Sequence, residues 1–125
     1  MDTHILIRVL AEPKRLTSGQ ARTINTSVQR GEPLSICAIS LLEIALLSVD
    51  GKLKASLEDI FDTVQTNPAF RLLPLTCEIA AEFAALHSFR DPSDRAIVAT
   101  ARVHGLKLVT SDERIIESNL VPVID

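Results

Sequence analysis

The sequence predicts an α/β fold, with helices covering both faces of a central, mainly parallel sheet, and three observations carry that reading. Short apolar runs alternate with longer segments of helical period, the pattern of βαβ units. The candidate strands are nearly continuous in apolar character, as strands buried on both faces are. The chain's 125 residues suit a single domain, 1–125, able to bury about two thirds of its unfolded surface.

Each element has its own signal. The apolar run Thr3 to Leu10 is expected to be a helix that starts directly after Asp2. Leu34 to Ala38 is the first complete strand, and Ser40 to Leu47 is a helix start apolar almost all round except for Glu43, the mark of a buried helix. Leu57, Ile60, Phe61 and Val64 repeat at helical spacing, and Ile79, Phe83 and Leu86 do so more sparsely. Arg71 to Leu75, Lys107 to Thr110 and Val121 to Ile124 supply further strands, for a sheet of about four to five short ones. Between them Asp91 is placed as an N-cap and Pro92 as the first residue of a helix with a small apolar body, Ala96 to Ala101. Gly31, Gly51 and Gly105 each follow a helical pattern, where a residue tolerant of positive φ ends a helix cheaply.

Composition excludes several classes. With 46% hydrophobic and 23% charged residues the chain is neither disordered, collagenous nor disulfide-stapled. No apolar stretch approaches the roughly 20 residues that cross a bilayer, and the start lacks a secretory layout, so a cytoplasmic protein without membrane contact is expected. Cys37 and Cys77 lie far apart among small or apolar neighbours, which suits two reduced, buried thiols. The absence of Trp and Tyr removes a base-stacking platform, and the net charge of −3 argues against a basic nucleic-acid surface. Lys14-Arg15 and Lys52/Lys54 are read as solvated surface.

The chemistry lies in the acids. Glu43 sits where a bare carboxylate costs several kcal/mol, although Ser40-x-x-Glu43 also forms a capping box. Asp94 falls one turn into the helix begun by Asp91, and Asp112 follows the strand ending at Thr110. Local capping or turn chemistry accounts for each alone. It does not account for their joint placement: Asp2, Glu43, Asp94 and Asp112 all lie where strand ends feed helices, and in a parallel sheet those ends share one edge, the edge where ligands bind. Carboxylates converging there repel one another unless a cation intervenes, and oxygen-only ligands select Mg²⁺ or Mn²⁺. His4, His87 and His104 lack zinc spacing and are read as surface or packing residues. Such a cation ordinarily works on phosphates.

At this point the sequence resembles the PIN-domain ribonucleases, and specifically the VapC-type toxins of toxin–antitoxin pairs. The resemblance rests on Asp2-Thr3-His4, Ser40-x-x-Glu43-Ile44, the turn Gly51-Lys52-Leu53, Asp91-Pro92-x-Asp94-Arg95, Thr110-x-Asp112 and a closing Val121-Pro122-Val123, in that order. It implies a three-layer α/β/α fold and endonucleolytic cleavage of RNA that leaves a 5′-phosphate and a 3′-hydroxyl. It also implies a homodimer, an antitoxin partner, and metal-binding acids at Asp2, Glu43, Asp94 and Asp112, with Asp91 mainly a cap. Arg90, Arg95, Thr110 and Ser111 are the expected substrate contacts, since all four flank the acids with phosphate-binding groups. For Arg95 an (i, i+4) pair with Asp91 is the competing expectation.

Two departures stand out. Relatives often carry Trp before the glutamate and Lys four residues after it, where this chain has Leu42 and Leu47. Relatives also enter the first acid from an apolar strand, and here only Met1 precedes Asp2, so the first strand is read as truncated, with either a natural start upstream or a shortened chain expected. An α-amino group beside the acids weakens cation binding. Two rival functions remain at this stage. A phosphoacceptor domain wants adjacent acids and a lysine closing a late strand, whereas Lys107 opens one. A non-catalytic PIN-like module that binds RNA or protein would not need all four acids.

Overall fold

A computed structural model gives the architecture, described for residues 1–87 and 89–125. In chain order the elements are α1 (Thr3–Ala11), a 3-10 turn (Pro13–Arg15), α2 (Ser18–Gln29), β1 (Leu34–Cys37), α3 (Ala38–Val49), α4 (Leu57–Thr66), β2 (Phe70–Leu73), α5 (Cys77–Ala85), α6 (Pro92–Val103), β3 (Leu108–Val109), α7 (Glu113–Ser118) and β4 (Val123–Ile124). The four strands are those expected, each shorter than expected, with β2 also starting one residue earlier, at Phe70. β1 stops at Cys37 because Ala38 already opens α3, and β2 stops before Pro74, which has no N–H to give a ladder.

Pairing is parallel, as the apolar strands require, with Leu34 opposite Phe70 in one pair and Leu108 opposite Val123 in the other. The two pairs do not bond to each other directly. Met1 and Asp2 lie between them: the Met1 amino group donates to Ser35 O at 2.9 Å and the Asp2 amide to Val109 O at 3.0 Å. Consecutive residues bonding to opposite neighbours is how a middle strand behaves.

The helices form outer layers. α6, whose residues Ala96 to Ala101 are all buried, packs against α5, α3 and β1, and α2 lies against β1 and β4. The stripe foreseen on α4 buries Ile60 and Val64 into a cluster with Leu6, Ile36 and Ile44. Gly31, Gly51 and Gly105 take positive φ just beyond the ends of α2, α3 and α6, the conformation that closes a helix.

Three local expectations are corrected. α3 begins at Ala38 with no side-chain cap, so Ser40 and Glu43 form no capping box and lie inside the helix. Nor is α3 buried all round, because Leu42, Leu46 and Val49 are 65%, 60% and 83% exposed along one face. Cys37 is buried with its Sγ 3.2 Å from Thr100 Oγ1, but Cys77 is exposed at the start of α5, where Thr76 provides the cap.

Candidate active site

The strand ends deliver the acids to one place. Asp2 caps α1, its Oδ1 accepting from the His4 amide, and its Oδ2 accepts from the Thr110 hydroxyl at 2.7 Å. Thr110 Oγ1 in turn accepts from the Asp112 amide at 3.0 Å, so the Met1–Asp2 segment and the end of β3 are tied together through one buried hydroxyl. Asp112 caps α7 by accepting from the Arg114 amide at 2.9 Å. Asp91 caps α6 through the amides of Ser93 and Asp94, which sets Asp94 in that helix's first turn. Glu43, from the second turn of α3, is reached across the site by Thr3: Thr3 Oγ1 donates to Glu43 Oε1 and hydrogen-bonds Ser40 Oγ at 2.9 Å. Three helix N-termini therefore face the same acids, and their dipoles favour negative charge there.

The electrostatics report shared occupancy. Burial, reinforced by the charges of Asp91, Asp112 and Asp2, pushes the Asp94 carboxyl up to about 6. Burial likewise raises Glu43, with Asp91 and Asp2 adding to the shift while the Thr3 hydroxyl and His4 oppose it. Asp112 moves the other way because Arg114 hydrogen-bonds it. The Met1 ammonium, next to these acids in sequence, is pushed down by burial. At Asp94 the Arg114 guanidinium opposes the rise without cancelling it.

The acids lie within electrostatic reach of one another without forming one closed cluster: Asp2 and Asp91 act on both Glu43 and Asp94, and Asp112 acts on Asp94. Oxygen donors on four separate segments suit a hard divalent ion chemically. Among the described residues, however, no three acidic, histidine or cysteine side chains stand closed around a single point. Positive charge comes instead from Arg114, whose Nη2 lies 3.0 Å from Asp112 Oδ2 and 3.2 Å from Asp94 Oδ2.

The expected substrate contacts divide. Arg90 is exposed beside the α6 N-terminus, and Thr110 binds a carboxylate. Ser111 accepts from Gln20 Nε2 at 2.8 Å on an exposed turn. Arg95 corrects the expected pair with Asp91: its Nε donates to Phe83 O at 2.8 Å and its guanidinium lies 4.5 Å from the Phe83 ring centroid, so it is seated on α5 instead. His4, His87 and His104 are exposed, as expected.

Sequence reasoning missed three contributors. Thr3 is legible only as part of Asp2-Thr3-His4. Gln20, fully buried, completes a Thr17/Gln20 capping box that the sequence displays. Arg114 gives no local signal beyond following Asp112 by two residues.

Comparison with known proteins agrees with this arrangement. A PIN-domain profile matches residues 1–118. Ribonuclease VapC22 of Mycobacterium tuberculosis (strain ATCC 25618 / H37Rv) is 32% identical over 117 residues, covering 92% of this chain and 87% of the relative. No solved structure matches the chain significantly. With the acids gathered at the parallel-strand ends and the match running along nearly the whole sequence, the chain belongs to the PIN-domain family and, within it, to the VapC-type ribonucleases.

Proposed function

We propose that this chain is a divalent-metal-dependent endoribonuclease, the toxin of a toxin–antitoxin pair, acting in the cytoplasm. The observation that supports the reading is geometric: one Thr110 hydroxyl links Asp2 to the Asp112 amide, Arg114 bridges Asp112 and Asp94, and Thr3, beside Asp2, holds Glu43. Asp2, Glu43, Asp94 and Asp112 are the residues that would hold Mg²⁺ or Mn²⁺, and Asp91 adds charge from the α6 cap. A bound ion of this kind polarises a phosphoryl oxygen and makes water a nucleophile at neutral pH. The protein's part is positional. Thr110 fixes the Asp2 carboxylate, Thr3 fixes Glu43, and the caps of α6 and α7 fix Asp94 and Asp112. In this reading the exposed Arg90 and Ser111 would meet an RNA phosphate, and Thr110 would act indirectly by holding Asp2.

Two partners follow from the same reading. A small antitoxin that binds this edge would silence the site by covering the acids. The apolar face of α3, Leu42, Leu46 and Val49, is the surface we assign to a second copy of the chain, since three exposed large side chains at helical spacing match an interface better than solvent.

The test is incubation of the purified protein with a structured RNA mixture, with and without Mg²⁺ or Mn²⁺, beside Asp94→Asn. Cleavage that requires the metal and falls by at least about 100-fold in the variant, the scale set by removing an electrostatic group from a site of this kind, is expected. Equal activity in both proteins assigns the cleavage to a contaminant. Mn²⁺ binding without cleavage would reassign the chain to a non-catalytic module.

A further inference from the structure

Arg114 makes three hydrogen bonds to two of the site's acids: Nε and Nη2 form a fork on Asp112, at 3.3 and 3.0 Å, and Nη2 also reaches Asp94 Oδ2 at 3.2 Å. Among the described residues it supplies every ion pair that these acids make; Asp2 and Glu43 have none. The guanidinium is held only by these carboxylates, its side chain is 69% exposed, and its backbone is anchored where Asp112 caps α7. It occupies carboxylate oxygens that a divalent ion would require. One cation is therefore seated, by flexible tether, in the place of another.

We propose that Arg114 is a displaceable counter-ion that neutralises Asp94 and Asp112 in the free protein and competes with the divalent ion for their oxygens. The inference rests on the metal-dependent reading above. Without a counter-charge, Asp91, Asp94 and Asp112 would repel one another across the N-termini of α6 and α7, so Arg114 keeps the metal-free site assembled. Entry of the ion must break the fork, which sets a threshold concentration for loading. Once released, the guanidinium stays tethered within reach of the site mouth, the place a substrate phosphate approaches, and its planar donor pair matches phosphate geometry.

The experiment measures Mn²⁺ affinity by calorimetry and by the electron paramagnetic resonance of free Mn²⁺, for the full chain, Arg114→Gln, Arg114→Lys and Asp94→Asn. Arg114→Gln should bind Mn²⁺ roughly tenfold more tightly at low salt, the effect of removing one unit charge a few ångströms away near a protein surface, and the gain should shrink as salt is raised. Arg114→Lys, which keeps the charge but loses the fork, should fall between the two. In the absence of metal, Arg114→Gln should have a lower thermal midpoint than the full chain, and Mn²⁺ should restore it. Arg114→Gln affinity equal to or weaker than that of the unaltered chain, with binding still abolished by Asp94→Asn, overturns the counter-ion role and leaves the metal site standing. Mn²⁺ binding that is absent, or indifferent to Asp94→Asn, removes both.

Discussion

Asp94 shows how much of this protein's chemistry resides in single side chains held against their preference. Its carboxyl titrates near 6 when folded because burial and three neighbouring acids disfavour the anion, against 3.8 as the ordinary value. A folded-state pKa raised above the unfolded one means that the folded protein holds the proton more tightly. That stabilisation is complete below about pH 4 and is lost as pH rises through about 6. Asp94→Asn, which has no proton to lose, should therefore match the unaltered chain in stability near pH 4 and exceed it at pH 7.5 in metal-free buffer. The expected margin is about 1 kcal/mol, since two pKa units set a ceiling near 3 kcal/mol and loss of the Arg114 contact reduces it. Urea denaturation at the two pH values checks this; a variant less stable at pH 7.5 would mean that Arg114 already satisfies Asp94. The same residue that destabilises the fold is the one whose loss should abolish cleavage, a trade expected where function needs charge in a confined place.

At the scale of elements, the sequence was most legible where one physical requirement acted alone. The four strands and the α4 stripe were readable because burial on both faces, or on one helical face, leaves a periodic trace. The four acids could be singled out because a parallel sheet puts its strand ends on one edge. The Arg95–Asp91 pair does not form because sequence spacing shows that the two are neighbours but not that the Phe83 ring and carbonyl offer Arg95 a better seat. Ser40 and Glu43 resembled a cap because the motif is local, whereas α3 starts two residues earlier as the chain leaves β1 without a break. The exposed face of α3 was hidden for a similar reason: apolar composition does not say whether the neighbour is this chain or another. If Leu42, Leu46 and Val49 meet a second copy, Leu46→Asp should convert a dimer to a monomer in size-exclusion chromatography with light scattering. The helical circular dichroism should persist, because Leu46 is 60% exposed and its loss opens no core cavity. A monomeric unaltered chain, or a variant that stays dimeric, would exclude this face as the interface.

At the scale of the whole molecule, the sheet is two parallel pairs joined, among the described residues, through Met1 and Asp2. Leu34 donates to Ala69 O, so alternation turns Ser35 and Cys37 away from β2; Leu108 and Thr110 bond to the β4 side, which turns Val109 away from β4. These peptide groups face each other across a cleft of about 500 Å³ that is walled by α2 on one side and α6 on the other, with Leu34, Ser35, Leu108 and Val109 along its edges. Met1 occupies the end nearest the acids. A chain lengthened ahead of Met1 by three β-forming apolar residues, Val-Leu-Ile, should lay them in the cleft as a parallel middle strand. Each new ladder bond contributes about 1 kcal/mol and each buried side chain about 1.5 kcal/mol or more, against about 1–2 kcal/mol of ordering entropy per residue. The net gain of about 2 kcal/mol should raise the thermal midpoint by roughly 5 °C or more for a domain of this size. The same extension replaces the Met1 amino group with a peptide N–H that keeps the bond to Ser35 O. A Gly-Ser-Asn extension of equal length is the control: it makes the same replacement but gives the cleft little to bury, so it should not raise the midpoint as far. If Val-Leu-Ile leaves the midpoint unmoved, the cleft does not accept a strand and the two halves of the sheet are stable apart.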